Sequence, residues 1–126
     1  MHMEEIANIK PVAVSPKFVR DLDGEDRWMP SDRELEQVRE LASLRYPISK
    51  ISILLGVPIR EFRRQMIIPN GPVSMAYQRG KLASELKYRE AVREMAGKGE
   101  QWAVEMVQVW DRQQKKEELG LQQDII

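Results

Sequence analysis

The chain has 126 residues, and its 20 basic and 20 acidic side chains leave a formal net charge of zero. That length suits one domain or two very small ones, and the plentiful Leu, Glu, Arg, Lys, Gln, Ala and Met favour helix. There is no cysteine and one histidine, His2, which excludes disulfides, thiolate metal sites and any metal centre or catalytic triad built on histidines.

Residues 1–30 contain Pro11, Pro16, Pro30 and a Gly24 turn, with no sustained period. They are expected to form an N-terminal arm, partly extended, with Val12, Val14 and Phe18 able to pack on a neighbour. Ser31 and Glu34 have capping-box spacing and open a first helix. Its apolar stripe is Leu35, Val38, Leu41, Ala42 and Leu44, with an exit at Leu44-Arg45-Tyr46. Pro47 suits the first turn of a second helix, which runs to about Leu55 and stops at Gly56. Pro58 starts a third helix that runs to about Met66, and Pro69-Asn70-Gly71-Pro72 is a break.

A long helix is expected from Val73 to about Ala96. Met75, Leu82 and Leu86 fall on one side of it, and Tyr77, Tyr88, Ala91, Val92 and Met95 roughly opposite. A helix with two apolar sides must bury both. Gly97-Lys98-Gly99 is a reversal, and Glu100 to about Lys116 a last helix with Trp102, Ala103, Met106, Val107 and Trp110 on a broad face. A short glycine loop between two helices makes an antiparallel hairpin. Gly120 to Ile126 is expected to be a tail.

The segment from Lys50 to Arg64 reads as a helix-turn-helix. Ile51 and Leu55 face inward, and Ser52 is small enough for the third helix to cross closely. Gly56 supplies the turn, Val57 plugs it, and Phe62 anchors the third helix from beneath. Arg60, Glu61, Arg63 and Arg64 are left facing outward, as a helix entering a DNA major groove requires. The charge distribution agrees. Residues 1–30 carry four basic against six acidic side chains, whereas Arg45 to Met66 carries five basic against Glu61 alone. Arg60 is the candidate for a base contact, because a guanidinium can fork onto guanine. Lys50, Arg63 and Arg64 are candidates for phosphate contacts, and Arg45 is the weakest member of the set. Glu61 balances charge or reads a cytosine amino group. The competing reading is a small three-helix core with arginines as a solvated face.

The expected fold is all-α: an arm (1–30), a helix-turn-helix DNA-binding domain (31–68), a helical-hairpin oligomerisation domain (73–118) and a tail (119–126). A DNA-binding domain that small rarely stabilises itself without help. A single partner helix cannot hide both apolar sides of the long helix. Packing on other copies answers both needs, and linked copies raise the effective concentration of a weak DNA contact. The oligomerisation candidates are Met75, Tyr77, Leu82, Leu86, Tyr88, Val92, Met95, Trp102, Met106 and Trp110. The alternative is that the Trp and Met residues only fill a monomer core.

No phosphate loop is present, Ser52 and Ser84 have no histidine partner, and the carboxylates alternate with basic residues on exposed helix faces. No catalysis, metal or cofactor is expected. No apolar run is long enough to span a bilayer and the first residues are acidic, so no membrane partner is expected either.

Three features in order, the capped helix followed by ISILLGVPIREF, AYQRGK (Ala76 to Lys81) opening a long helix, and EMAGKGEQWAVEMVQVW (Glu94 to Trp110), resemble phage terminase small subunits. They span about Pro30 to Arg112. The resemblance implies a non-enzymatic subunit of a viral genome-packaging motor, working in the cytoplasm of the bacterial host. It implies a ring built through the helical hairpin and binding of double-stranded DNA at the packaging-initiation region. It also implies delivery of that DNA to a terminase large subunit with ATPase and nuclease activity. On this chain Lys50, Arg60, Arg63 and Arg64 would contact DNA, and the tail after Lys116 would touch the large subunit or portal. A phage or bacterial transcription regulator, dimeric on a short palindrome, is the alternative.

Overall fold

The fold is that of a computed structural model, which describes residues 16–125. Among them it is mostly helical, with one two-stranded antiparallel sheet. The elements are β1 (Phe18–Arg20), β2 (Asp26–Trp28), α1 (Asp32–Ser43), α2 (Ile48–Leu55), α3 (Ile59–Met66), α4 (Pro72–Gly97) and α5 (Gln101–Ile125). The chain divides into two compact units, Met1–Ser84 and Glu85–Ile126.

The helix ends follow local chemistry. Ser31 Oγ accepts from the Glu34 N–H at 3.1 Å while Glu34 Oε1 accepts from the Ser31 N–H at 3.0 Å, so the expected capping box is formed. Pro47 and Pro58 stand as N-caps, one position before the helices they were expected to begin. Gly56 is left-handed (φ 72°), and the N–H of Val57 reaches back to the carbonyl of Ser52 at 2.9 Å. That is a Schellman stop, and Gly99 (φ 87°) repeats it with Glu100 on Met95 at 3.2 Å. Arg45 makes the same stop after α1 with φ 67°, although a side chain there is strained. Its Nε donates to Ser84 Oγ at 3.0 Å, which ties the turn to α4.

The N-terminal unit has one core, formed by Trp28, Val38, Leu41, Ala42, Ile51, Leu55, Val57, Phe62 and Val73, with Ala76 and Tyr77 packed against it. Of the positions expected inward on α1, α2 and α3, Val38, Leu41, Ala42, Ile51, Leu55 and Phe62 are buried and Leu35 partly so, whereas Leu44, at the C-cap of α1, is 47% exposed. Two further features differ from expectation. First, residues 17–30 are not an arm. Asp21 Oδ1 accepts from the N–H groups of Asp23 and Glu25, both at 2.9 Å, and Gly24 takes φ 79°, so the chain folds back as a hairpin. Phe18 pairs with Trp28, Val19 with Arg27 and Arg20 with Asp26, and β2 lies on α3. The expected packing of Val12 and Val14 lies outside the described residues. Second, Val73, Ala76 and Tyr77 bring the start of α4 into this unit. The unit is therefore larger than the 31–68 segment and buries more than three short helices could.

In the second unit Val92 of α4 and Ala103 of α5 are buried, and the two helices are joined by residues 98–100. The Arg89 guanidinium sits over the Trp110 ring, 4.4 Å from its centre. Helix α5 does not end near Lys116. It continues through Gly120 to Ile125, so the segment expected as a tail is helical. Glu117, Glu118, Leu119 and Leu121 favour helix, and one mid-helix glycine costs only about 1 kcal/mol.

Candidate functional site

Helix α3 has a sharp division of faces. Phe62 and Gln65 point into the unit, where the Phe62 ring stacks on Trp28 at 5.7 Å and Gln65 Nε2 donates to the Trp28 carbonyl at 3.1 Å. Arg60 and Arg63, three residues apart and so on one face, are exposed. Lys50 is exposed on α2. None of these three cations has a carboxylate partner among the described residues.

Arg64 and Glu61 are different. Sequence spacing leaves both facing outward, but Glu61 is buried. Its Oε1 accepts from the Trp28 backbone N–H at 3.0 Å and from Arg64 Nη2 at 2.7 Å, while Arg27 Nη1 lies 3.5 Å from Oε2. Arg27 is held in turn by Asp21, 2.9 Å from its Nε. Glu61 is thus the centre of a network that pins the hairpin to α3, and reading a cytosine is not open to it. Burial alone would push its carboxyl up. The Arg64 hydrogen bonds, the Trp28 N–H and the Arg64 and Arg27 charges outweigh burial and hold it below the usual glutamate range. The hydrogen bonds from Glu61 hold the Arg64 guanidinium above its ordinary value. Arg45, bonded to Ser84, is committed to the fold rather than presented with α3. An i, i+3 Glu–Arg pair was visible in the sequence, but its burial was not, because the partners that cover it come from β2.

Between the hairpin and the first turns of α3 lies an open groove of about 580 Å³, whose walls include Phe18, Glu25, Asp26, Pro58, Arg60 and Arg64. Its electrostatics are mixed: Glu25, Asp26 and Arg27 line the hairpin side, and Arg60, Glu61 and Arg64 the helix side.

The candidate oligomerisation residues also divide. Leu82, Leu86, Tyr88 and Trp102 are 61%, 59%, 47% and 50% exposed. Met75, Met95, Met106 and Trp110 are half-buried. Val92 is buried, and Tyr77 is half-buried, packed against the N-terminal core with Lys81 5.6 Å from the centre of its ring. Val92 therefore presents no surface to another copy. Among the described residues no helix is long and apolar enough to cross a membrane. Comparison of the chain with protein-family models, curated proteins and solved structures gives no match.

Proposed function

We propose that α2, the Gly56 turn and α3 form a helix-turn-helix that binds double-stranded DNA, and that the chain is a phage terminase small subunit. In this reading it is non-catalytic and works in the host cytoplasm. It recognises the packaging-initiation region and presents DNA to the ATPase and nuclease of a large subunit. The observation that carries the DNA reading is the face of α3. Arg60 and Arg63 stand exposed and unpaired on a helix whose other side is fixed by Phe62 and Glu61, with Lys50 exposed on the preceding helix. A helix so anchored can enter a major groove without moving its support.

Assembly into a ring is supported by the exposed apolar side chains of α4 and α5, read as an antiparallel hairpin. Leu86, Tyr88, Trp102 and Val109 are all more than a third exposed in one small unit, and together they offer apolar area to another copy. A few cations per copy bind DNA weakly, and a closed ring of copies converts that into useful avidity.

Native mass spectrometry of the full chain tests the assembly. The expected mass is that of one large closed oligomer. A monomer removes the ring. A two-fold dimer that binds a short palindrome replaces it with a transcription regulator.

A further inference from the structure

We infer that the β1–β2 hairpin limits where nucleic acid can lie on α3: it withdraws Arg64 from the phosphate-binding set and confines the contact to Lys50, Arg60 and Arg63. This rests on the DNA reading above and specifies its site.

The geometry has two parts. The first is the clamp. Arg64 spends its fork on Glu61, with Nε 3.1 Å from both carboxylate oxygens and Nη2 2.7 Å from Oε1. Arg27 spends its own on Asp21 and Glu61, with Glu25 3.9 Å away. Breaking a part-buried, multiply hydrogen-bonded guanidinium away from its carboxylate to meet a phosphate exchanges one ion pair for another. It also strands Glu61 beneath the hairpin. Successive residues of a helix advance about 100°, which puts Arg63 about 60° to one side of Arg60 and Arg64 about 40° to the other, toward Glu61, so it is the bonds to Glu61 and not direction that take Arg64 out of the outer face.

The second part is the wall. Glu25 and Asp26 line the groove on the side facing Arg60 and Arg64, with side chains 52% and 65% exposed. Their partners, Arg27 at 3.9 Å and Arg20 at 3.6 Å, are loose pairs that neutralise them only in part. A phosphate entering from the hairpin side would meet these carboxylates first. A duplex approaching from the Lys50 and Arg63 side would not. The hairpin therefore sets the edge of the footprint, and Arg64 is a positioning residue rather than a DNA contact.

The test is duplex-DNA binding by the full chain across a salt series, read as the slope of log affinity against log salt. Each phosphate contact contributes about one to that slope, so losing one flattens it by about that much per engaged copy. Arg63→Ala is expected to flatten the slope, and Arg64→Ala to leave it unchanged even if it lowers the melting temperature. Because Arg64→Ala strains the fold, the exposed pair Glu25→Gln/Asp26→Asn carries the test independently. It is expected to raise affinity roughly threefold or more at low salt, with the gain fading as salt screens it. Arg64→Ala flattening the slope as much as Arg63→Ala overturns the inference, as does an unchanged affinity for the Glu25→Gln/Asp26→Asn chain. In both cases DNA binding itself stands. A wild-type chain that retains no duplex even at low salt overturns the DNA reading and this inference together.

Discussion

Trp28→Ala is expected to remove about 3–5 kcal/mol of folding stability, which is most of what a unit of this size commands. Trp28 is 1% exposed and makes four separate attachments. Its ring stacks on Phe62, and its Nε1 donates to Glu34 Oε2 at 3.3 Å. Its N–H donates to Glu61 and its carbonyl accepts from Gln65. The two backbone bonds survive truncation only if β2 stays in place, and the ring is what holds β2 on α3. The Glu34 bond matters beyond itself, because the other oxygen of that carboxylate closes the α1 capping box. Urea unfolding followed by far-ultraviolet circular dichroism measures the loss. Trp28→Phe keeps an aromatic ring against Phe62 but loses the Nε1 bond and part of the buried ring, so it is expected to cost less than Trp28→Ala, about 2 kcal/mol. Equal stability of Trp28→Ala and wild type would show the hairpin to be the loose arm that composition suggests.

Gly80→Ala is the second large effect, and its sign runs against helix propensity. In the middle of α4 alanine is favoured over glycine by about 1 kcal/mol. Here an added Cβ would lie 2.2 Å from the Arg39 carbonyl oxygen and 2.7 Å from the Ala42 Cβ. The nearer group is backbone and cannot rotate away, so α4 must back off from α1 and loosen Ala76 and Tyr77 from the core. Overpacking of that kind costs about 1–3 kcal/mol or more, and a net loss of about 2 kcal/mol is expected in thermal or urea unfolding. Gly97→Ala is the control. Nothing lies within 4 Å of a Cβ there, so it should be neutral or slightly stabilising. If Gly80→Ala is as stable as wild type, the close approach of α4 to α1 is wrong.

These two residues show what the sequence makes legible and what it hides. The caps were readable because each is settled within a few residues: Ser31 with Glu34, Gly56 with Val57, and the two prolines before α2 and α3. The inward positions of α1 to α3 were readable from spacing, since Val38, Leu41, Ile51, Leu55 and Phe62 recur at helical intervals. The hairpin was not. Its strands have three residues each, too short for alternation to register. The same blind spot hid Glu61. Its inward turn depends on Trp28, 33 positions earlier, and on Arg27. Gly80 stood in a readable motif, but only the neighbouring helix explains why it must be glycine. At the far end spacing puts the last helix's end near Lys116 with a tail from Gly120, but the residues around Gly120 favour helix strongly enough to carry α5 past it. Of the site itself, Lys50, Arg60 and Arg63 stand free as the sequence suggested. Arg64 and Arg45 are drawn into contacts with Glu61 and Ser84 that lie three or more residues away.

Retention of duplex DNA by the Lys50→Ala/Arg60→Ala/Arg63→Ala chain, set against wild type at low salt, tests the central claim most directly. All three side chains are exposed and unpaired, so their removal is expected to leave the melting temperature within a few degrees of wild type. Wild type should bind with affinity that falls steeply as salt rises, and the triple variant should lose at least tenfold at low salt. Equal retention by a folded triple variant would contradict the account, and would leave the cationic face of α3 as an ordinary solvated surface.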